Sequence, residues 1–502
     1  MYAGKIVGAA VLGMAAVCSA QVMVNANSLP PAKPDAQIAA AIAKISPTNV
    51  QADIAKLVTF GTRNTLSSMA ADLPPGQGIN AAADWIESEF QAIASQCGGC
   101  LEVKRDTFEE PGSTARGSRI TKPTKLTNVY AILHGTDKNA PWVLVTGHYD
   151  SRATDVSDAH VTAPGANDDA SGTAVSIESA RALSKLKFPG TIVFLSVAGE
   201  EQGLNGSKHL AHVAREQGWP LEAVLNNDIV GGDTTPGETM QDKTAVRVFS
   251  ESVPGNATPE QQRQILMLGA ENDSPSRQLA RTIAELSPAY FGAGLKKAPP
   301  AAPGHARSHL VQEVPAFHPV LILRRDRYLR GGDHTSFNGE GFAAVRFTEW
   351  RENFDHQHQT VRTENGKEYG DLLKFVDFNY VANVARMNSA VLASLASAPG
   401  EPQNVHVLTR SLDNNTELAW EAPAYAPAGT TYQIVWREPT EMLWTHAQSA
   451  GTATEIKLNV SKDNVLFGVR AMDAAGHFSL AVAPLPMGRT APAAAAAPPA
   501  GQ

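Results

Sequence analysis

Two short apolar runs, at residues 143–145 and 192–197, frame the centre of the chain. Their length and their content of β-branched residues are typical of buried strands. Between the runs, an Ala- and Ser-rich stretch that opens at Asp168 and continues to about residue 186 predicts a helix. A strand–helix–strand order of this kind predicts an open α/β sheet, in which active sites lie at the carboxyl edge.

Similar patterns of apolar residues predict further strands and helices of the same α/β domain over residues 48–398. Apolar positions spaced by three and four predict helices over residues 54–60, 80–93, 204–214, 262–287 and 373–395. Apolar runs predict further strands over residues 101–108, 128–133, 223–230 and 342–348. Residues 231–260 are predicted to be irregular, and residues 288–329 form a Pro- and Ala-rich insert. The fold class that follows is α/β, with a mixed, mostly parallel central sheet flanked by helices.

From residue 402 the hydrophobic period changes to two, which is typical of half-buried strands. Alternating positions such as Leu418 and Trp420 are separated by turn residues. Short strands with this spacing resemble a fibronectin type III sandwich, which predicts a small all-β domain over residues 402–488. We expect it to bind a surface or polymer, or to serve as a spacer or a removable pro-segment. The Ala- and Pro-rich tail, residues 489–502, is expected to be disordered.

The amino terminus has the pattern of an export signal. The residues that follow Lys5 are apolar or small up to a small-residue cleavage site at residues 18–20. Residues 1–20 are therefore expected to be a signal peptide and residues 21–47 a linker, and the protein is expected to be periplasmic or secreted. Cys18 leaves lipid attachment open as an alternative. No other stretch approaches the length of a membrane span.

Composition and cysteine spacing narrow the function further. A net charge of −8 without a stripe of Lys and Arg argues against a nucleic-acid partner. In an exported chain, the C-G-G-C sequence at Cys97 and Cys100 predicts a local disulfide. A redox motif would need a strand before it, where the pattern predicts a helix. A structural zinc site would need two further ligands nearby.

Ionisable side chains follow the predicted strands where each one ends. They are His148, Asp150, Asp168, Glu200, Glu201, Asp228, Asp333 and His334. Two imidazoles with several carboxylates and no thiolate suit two divalent ions held close together, most naturally zinc. Taken singly, each residue is more often a surface or capping group, so the joint pattern carries the interpretation.

This set can be divided between two metal ions. It supplies His148 and Asp228 for one ion, and His334 and Glu201 for the other. One carboxylate must bridge the ions, and Asp168 is available for that place. Glu200 then remains as a general base beside an activated water.

Several motifs in combination make the chain similar to a known family. They are G-H-Y-D-S, A-P-G-A-N-D-D-A-S-G, G-E-E-Q-G-L-N-G-S, N-D at Asp228 and D-H at His334. Over residues 50–397 the chain resembles the double-zinc exopeptidases, which include secreted bacterial leucyl aminopeptidases and aminopeptidase Y. The resemblance implies the zinc exopeptidase fold, two Zn²⁺ per chain and the hydrolysis of peptides or proteins by a water activated between the ions.

The resemblance also assigns roles to individual residues. The implied zinc ligands are His148, Asp168, Glu201, Asp228 and His334. Glu200 is implied as the general base, and Asp150 as the carboxylate that orients His148. Asp333 is expected to do the same near His334, and the Asp168–Asp169 peptide is expected to be cis.

Two features cannot be matched between this chain and the family. One is the insert at residues 288–329 of this chain, and the other is the family's substrate-gripping tyrosine or arginine, for which Tyr328 and Arg330 are our candidates. The family carries a His after its last strand. We assign His356 and His358, which lie in that stretch, to the pocket rim or to structure.

The predicted function is that of an exported, monomeric metallo-aminopeptidase without a membrane span. An acidic site favours binding of a free amine, which supports cleavage at the amino terminus. A carboxypeptidase or dipeptidase remains an alternative because arginines cluster at residues 324–330. A single-zinc glutaminyl cyclase and a non-catalytic surface-binding protein are further alternatives, and the complete ligand set disfavours both.

Overall fold

The computed structural model describes residues 28–295, 313–315, 317–409 and 413–487. The predicted signal peptide and the Ala- and Pro-rich tail lie outside these residues. Within the described part of the chain, no helix combines the length and hydropathy needed to cross a membrane.

Strands of the larger, amino-terminal part of the chain form a central sheet and two small ribbons. In chain order they are β1 (Leu101–Glu110), β2 (Thr124–Leu133), β3 (Trp142–His148), β4 (Thr191–Val197), β5 (Leu221–Asn227), β6 (Ala245–Ser250), β7 (Ala293–Leu295), β8 (Glu313–Pro315), β9 (His318–Ile322), β10 (Ala344–Glu349), β11 (Arg362–Glu364) and β12 (Lys367–Tyr369). The ribbons are β7 with β8 and β11 with β12.

The central sheet has the order β1-β2-β4-β3-β5-β10-β6-β9. Strands β4, β3, β5 and β10 run parallel to one another, so their carboxyl ends meet at one edge. Strands β2 and β6 run antiparallel to the neighbours that join them to this parallel block. The prediction of a mixed, mostly parallel sheet is therefore confirmed, and the edge with the candidate site lies in its parallel middle.

Helices cover both faces of this sheet. They are α1 (Ala36–Ile42), α2 (Pro47–Val58), α3 (Gly78–Gln96), α4 (Ala170–Leu183), α5 (Asn205–Glu216), α6 (Pro259–Leu268), α7 (Pro275–Phe291), α8 (His334–Gly339) and α9 (Phe378–Ser397). Helix α4 consists largely of Ala, Ser and Gly, and nearly all its residues are buried between the sheet and α9. Its small side chains permit this close approach, which places its amino terminus at the site.

Two strands and one helix boundary differ from the predictions. Residues 245–250 form β6 and residues 318–322 form β9, where the sequence predicted an irregular excursion and a Pro-rich insert. Both strands lie beyond the parallel block and are short, so their hydrophobic period is weak. The helix predicted over residues 262–287 is two helices, α6 and α7, and each starts with a capping residue followed by Pro.

The carboxyl-terminal part is a sandwich of two sheets. Its strands are β13 (Gln403–Leu408), β14 (Thr416–Glu421), β15 (Thr431–Arg437), β16 (His446–Gly451), β17 (Glu455–Leu458), β18 (Leu466–Met472) and β19 (Leu485–Met487). The sheets have the orders β17-β14-β13-β19 and β16-β15-β18. Trp420, Tyr432 and Trp436 pack between them in a core of their own. The predicted all-β sandwich is therefore present in the structure.

The sandwich packs tightly against the rest of the protein. Phe478 and Leu480 belong to the same buried cluster as the core of the α/β part. The guanidinium of Arg437 lies 2.8 Å from Asp273, and Ser28 forms a bridge with His446 of the sandwich. These contacts join the sandwich to the α/β part at several points, and its role stays a prediction.

Arg470→Met should therefore destabilise the α/β part although the substitution lies in the sandwich. Arg470 is 4% exposed, and its two terminal nitrogens each lie 2.9 Å from a carboxylate oxygen of Glu285 in α7. Breaking a buried pair from one side costs about 3 kcal/mol. Loss of activity in a urea titration reports unfolding of the α/β part, so its midpoint should fall to lower urea.

The exposed pair Lys457–Glu417 within the sandwich supplies the control. Lys457→Met should change the free energy of unfolding by less than about 1 kcal/mol, because exposed ion pairs contribute little. An unchanged midpoint for Arg470→Met would mean that the sandwich folds and unfolds independently of the α/β part.

Candidate metal centre and active site

The predicted residues gather at the carboxyl edge of the parallel strands. His148 ends β3, and Asp228 follows the last residue of β5. Glu200 and Glu201 follow β4, and Asp168 lies just before α4. The sequence predicted that these five residues lie near strand ends or at the start of a helix. The structure brings them together at one edge of the sheet.

The site contains two groups of potential metal ligands. His148, Glu200 and Asp228 form one group, and Asp168, Glu201 and His358 form the other. In each group, one ligand atom per residue lies within 4.8 Å of the others.

Asp168 joins the two groups through its two oxygens. Its Oδ1 lies 3.1 Å from Nε2 of His148, and its Oδ2 lies 2.9 Å from Nε2 of His358. His358 Nε2 also lies 2.9 Å from Oε1 of Glu201. A carboxylate that faces one imidazole with each oxygen has the arrangement needed to bridge two cations.

The donor atoms of this cluster fit a metal centre. Nε2 of His148 and Oε1 of Glu201 are buried, yet neither makes a well-aligned hydrogen bond. Burial, together with Asp228, Glu201 and Asp333 nearby, raises the pKa of Glu200 well above its usual range. Several buried carboxylates so close together need positive charge to neutralise them, and imidazoles with carboxylates suit zinc.

Asp150 holds several parts of the site at once. Its oxygens accept hydrogen bonds from the backbone N–H of Glu200 at 3.2 Å and of Glu201 at 3.1 Å. Oδ1 also lies 3.4 Å from Nδ1 of His148, and Oδ2 accepts a hydrogen bond from Thr65. The carboxylate of Asp150 therefore lies beside His148, although Nδ1 is closer, at 3.1 Å, to the backbone carbonyl oxygen of Asp150. The contacts with the Glu200–Glu201 turn add a second role.

Two carboxylates beside Asp168 position its backbone. Asp169 is joined to Asp168 by a cis peptide, caps α4 through Gly172 N–H at 2.9 Å and accepts a hydrogen bond from the N–H of His148 at 3.0 Å. Asp371 is buried, and its Oδ2 accepts a hydrogen bond from the N–H of Asp168 at 2.7 Å. Asp371 lies about 200 residues away in the chain, so no local pattern predicted its contact with Asp168.

His334 lies apart from both ligand groups, contrary to its predicted place. Its Nε2 lies 2.9 Å from the carbonyl oxygen of Arg325 and 3.6 Å from Asp326. Burial lowers its pKa to about 4. Because His334 and Asp333 are consecutive at the start of a helix, their side chains point in different directions. Asp333 is buried near His148 and Asp228, so it does not serve to orient His334.

His358 stands in the place that was expected for His334. Burial lowers its pKa, but Glu201 and Asp168 outweigh that effect and raise it to about 10. Its φ is 58°, in the left-handed region that side chains other than glycine rarely adopt. Ile229, directly after Asp228, has a φ of 62°, which is rarer still for a β-branched residue. Such conformations concentrate at functional sites, where surrounding contacts maintain them.

The two candidates for substrate binding differ in position. Arg330 lines a cleft of about 570 Å³ together with Asp168, Glu200 and Glu201, and it lies 2.6 Å from Glu352. Tyr328 is 78% exposed, stacks on Arg324 and does not line this cleft. The structure therefore brings Arg330 to the candidate site and leaves Tyr328 outside it.

Cys97 and Cys100 are joined in a disulfide directly after α3. The bond closes the turn between that helix and β1, away from the ligand groups. It corresponds to the predicted pairing.

Comparison with known proteins supports a family assignment. The profile of Peptidase family M28 matches residues 128–273, which carry His148, Asp168, Glu201 and Asp228. The chain is 42% identical to a probable zinc metalloprotease of Leptosphaeria maculans over 90% of this chain and 98% of that protein. It is 42% identical to a probable zinc metalloprotease of Pyricularia oryzae over 92% of this chain and 89% of the relative.

Solved structures are more distant. The LapA aminopeptidase of Legionella pneumophila is 19% identical with a TM-score of 0.46, and the match covers 74% of this chain and 77% of LapA. An aminopeptidase from Aneurinibacillus sp. strain AM-1 is 16% identical with a TM-score of 0.44, covering 71% and 94% of the two chains. The two zinc metalloprotease relatives are fungal, so the peptidase family is confirmed, whereas the predicted likeness to bacterial leucyl aminopeptidases in particular stays a prediction. The identity to the two fungal relatives extends over almost the whole chain, and the family profile covers the strand ends that carry the candidate ligands. The chain therefore belongs to peptidase family M28.

Proposed function

We propose that the protein is a metallo-aminopeptidase that binds two zinc ions and removes amino-terminal residues from peptides. The observation that carries the proposal is the position of Asp168, whose two oxygens face the imidazoles of His148 and His358. The fungal relatives, which are named as probable zinc metalloproteases, support the choice of metal.

The two ligand groups divide between the ions. His148 and Asp228 would hold one ion, and His358 and Glu201 the other, with Asp168 shared. His358 thus replaces His334 as the second imidazole. When bound, zinc supplies a Lewis acid that lowers the pKa of water and polarises a carbonyl oxygen.

Glu200 is the residue placed to move protons. Its carboxylate lines the cleft, and no residue in the described ranges donates a hydrogen bond to that carboxylate. In the reaction it would take a proton from the attacking water and return it to the leaving amine. Asp150 keeps Glu200 in place through the backbone N–H.

The charge of the cleft supports cleavage at the amino terminus. Asp168, Glu200, Glu201 and Asp228, together called the acidic floor below, line the cleft. Carboxylates attract the ammonium group of a free amino terminus. A carboxypeptidase or dipeptidase is the second candidate, because Arg330 and other arginines line the same cleft.

The proposal also includes the location of the protein, its oligomeric state and the role of the sandwich. The protein is exported and monomeric, and the sandwich is a fibronectin type III-like domain that binds a surface or polymer. These features do not affect the chemistry of the site.

A substrate panel tests the direction of cleavage. Leucine anilide should be hydrolysed, whereas N-acetyl-leucine anilide and a peptide with a carboxyl-terminal reporter should not. A chelator should abolish the activity, and added zinc should restore it, because the proposed chemistry depends on water and a carbonyl group activated by the metal. Equal hydrolysis of the blocked and free substrates would refute an aminopeptidase, and activity that survives the chelator would refute the metal centre.

A further inference from the structure

Side chains of both charges line the candidate cleft. They are the carboxylates of the acidic floor and the guanidiniums of Arg119, Arg152, Arg327 and Arg330. A cluster of four guanidiniums around an acidic centre requires an explanation beyond the metal site, because a metal ligand set consists of neutral or negative groups.

Two of these arginines already form ion pairs with carboxylates. Glu352 lies 2.9 Å from Arg327 and 2.6 Å from Arg330, and Arg327 also contacts Asp326 at 2.8 Å. Both guanidiniums therefore have carboxylate partners within the protein, although Glu352 is shared with Arg247 at 3.1 Å.

Arg119 and Arg152 have no such partner among the described residues. Arg119 donates to the carbonyl oxygen of Glu201, and Arg152 donates to those of Ala153 at 3.1 Å and Thr154 at 3.2 Å. Asp155 acts on Arg152 electrostatically but forms no ion pair with it within 4.0 Å. Each guanidinium has five N–H donors, so both keep donors for a ligand in the cleft.

We infer that Arg119 and Arg152 bind a carboxylate of the substrate on the leaving-group side of the scissile bond. This inference rests on the proposed function and defines its substrate class. The α-ammonium group would lie over the acidic floor and the carboxylate against the two arginines. A cleft of about 570 Å³ has the volume of a site for a molecule the size of a short peptide.

Two sources can supply that carboxylate. One is the carboxyl terminus of a dipeptide or tripeptide, and the other is an Asp or Glu side chain after the scissile bond. Arginine binds both by the same paired hydrogen bonds.

The experiment compares kcat/KM for Leu-Ala, Leu-Ala amide and Leu-Glu amide, measured as free leucine released by the zinc-loaded, full-length protein. Leu-Ala should be cleaved about 10-fold or more faster than Leu-Ala amide, as expected for hydrogen bonds to a charged group. High activity on Leu-Glu amide would identify the side chain as a second source, and low activity would restrict recognition to the carboxyl terminus. Equal rates for all three substrates would overturn the inference while leaving the aminopeptidase proposal intact. Cleavage of none of them would refute the proposed function instead.

Arg119→Gln combined with Arg152→Gln should reduce the ratio of Leu-Ala to Leu-Ala amide cleavage to near one. Arg116→Gln is the matched control, because Arg116 is an exposed arginine of the same loop that does not line the cleft, and the ratio should not change. A ratio that stays high in the double variant would overturn the assignment to these arginines. The wild-type comparison tests carboxylate recognition even where the double variant fails to fold.

Discussion

Glu200→Gln is expected to lower kcat/KM by at least about 100-fold and to leave the zinc content per chain unchanged. Glutamine keeps the size and shape of glutamate, but its neutral amide cannot take up the proton of the attacking water. The carboxylate of Glu200 lines the cleft, and no residue in the described ranges donates a hydrogen bond to it, so it is free to take up a proton from the attacking water. The measurements are kinetics on leucine anilide and metal analysis after dialysis.

A ligand role for Glu200 is the opposing hypothesis, and the geometry makes it worth testing. One of its oxygens lies within 4.8 Å of ligand atoms of both His148 and Asp228. If Glu200 were a ligand, the glutamine variant would lose zinc in proportion to activity. Glu201→Gln provides the comparison, because Glu201 contacts His358 directly and its replacement should reduce the metal content.

Most of the candidate site follows from short stretches of sequence. His148 is the last residue of a strand that its hydrophobic residues reveal, Asp228 directly follows another, Glu200 and Glu201 lie a few residues after a third, and Asp168 comes just before a helix. Parallel strands bring these positions to one edge, so the pattern of each strand is enough to place its polar residue.

The residues that sequence reasoning missed are held by long-range contacts. Asp371 reaches the N–H of Asp168 from a segment about 200 residues further along the chain. His358 lies in an irregular segment after β10, and a left-handed backbone turns it towards Asp168 and Glu201. Neither feature leaves a hydrophobic period, and the conspicuous D-H pair at His334 drew the assignment away from His358. The family's His after the last strand was the available signal.

The fold also divides into elements that a local sequence pattern predicts and elements that depend on long-range contacts. Strand β4 is buried along its whole length and β3 is buried after its first residue, so nearly every residue is apolar or small and the run is easily recognised. Strand β9 is five residues long and mostly half-buried, because it lies at the end of the sheet. Its existence depends on pairing with β6 more than on its own sequence.

His358→Ala is expected to reduce the zinc content per chain and to lower kcat/KM by more than about 100-fold. Replacing a residue that only supports a metal ligand costs 10- to 100-fold, so removal of a ligand should exceed that range. His358 is the imidazole that contacts both Asp168 and Glu201, each at 2.9 Å. Without it, one ion would be left with carboxylates alone, a ligand set that binds zinc less selectively.

His334→Gln is the decisive control, because sequence reasoning placed His334 in the role that the geometry gives to His358. His334 is buried against the carbonyl oxygen of Arg325 and Asp326, so its replacement should lower the thermal stability. The variant should nevertheless keep its zinc, because none of these contacts belongs to a ligand group. Zinc loss in His334→Gln with zinc retained in His358→Ala would restore the sequence-based assignment. Zinc loss in His358→Ala alone would mean that the second imidazole comes from the segment after β10, where its backbone is held in a left-handed conformation.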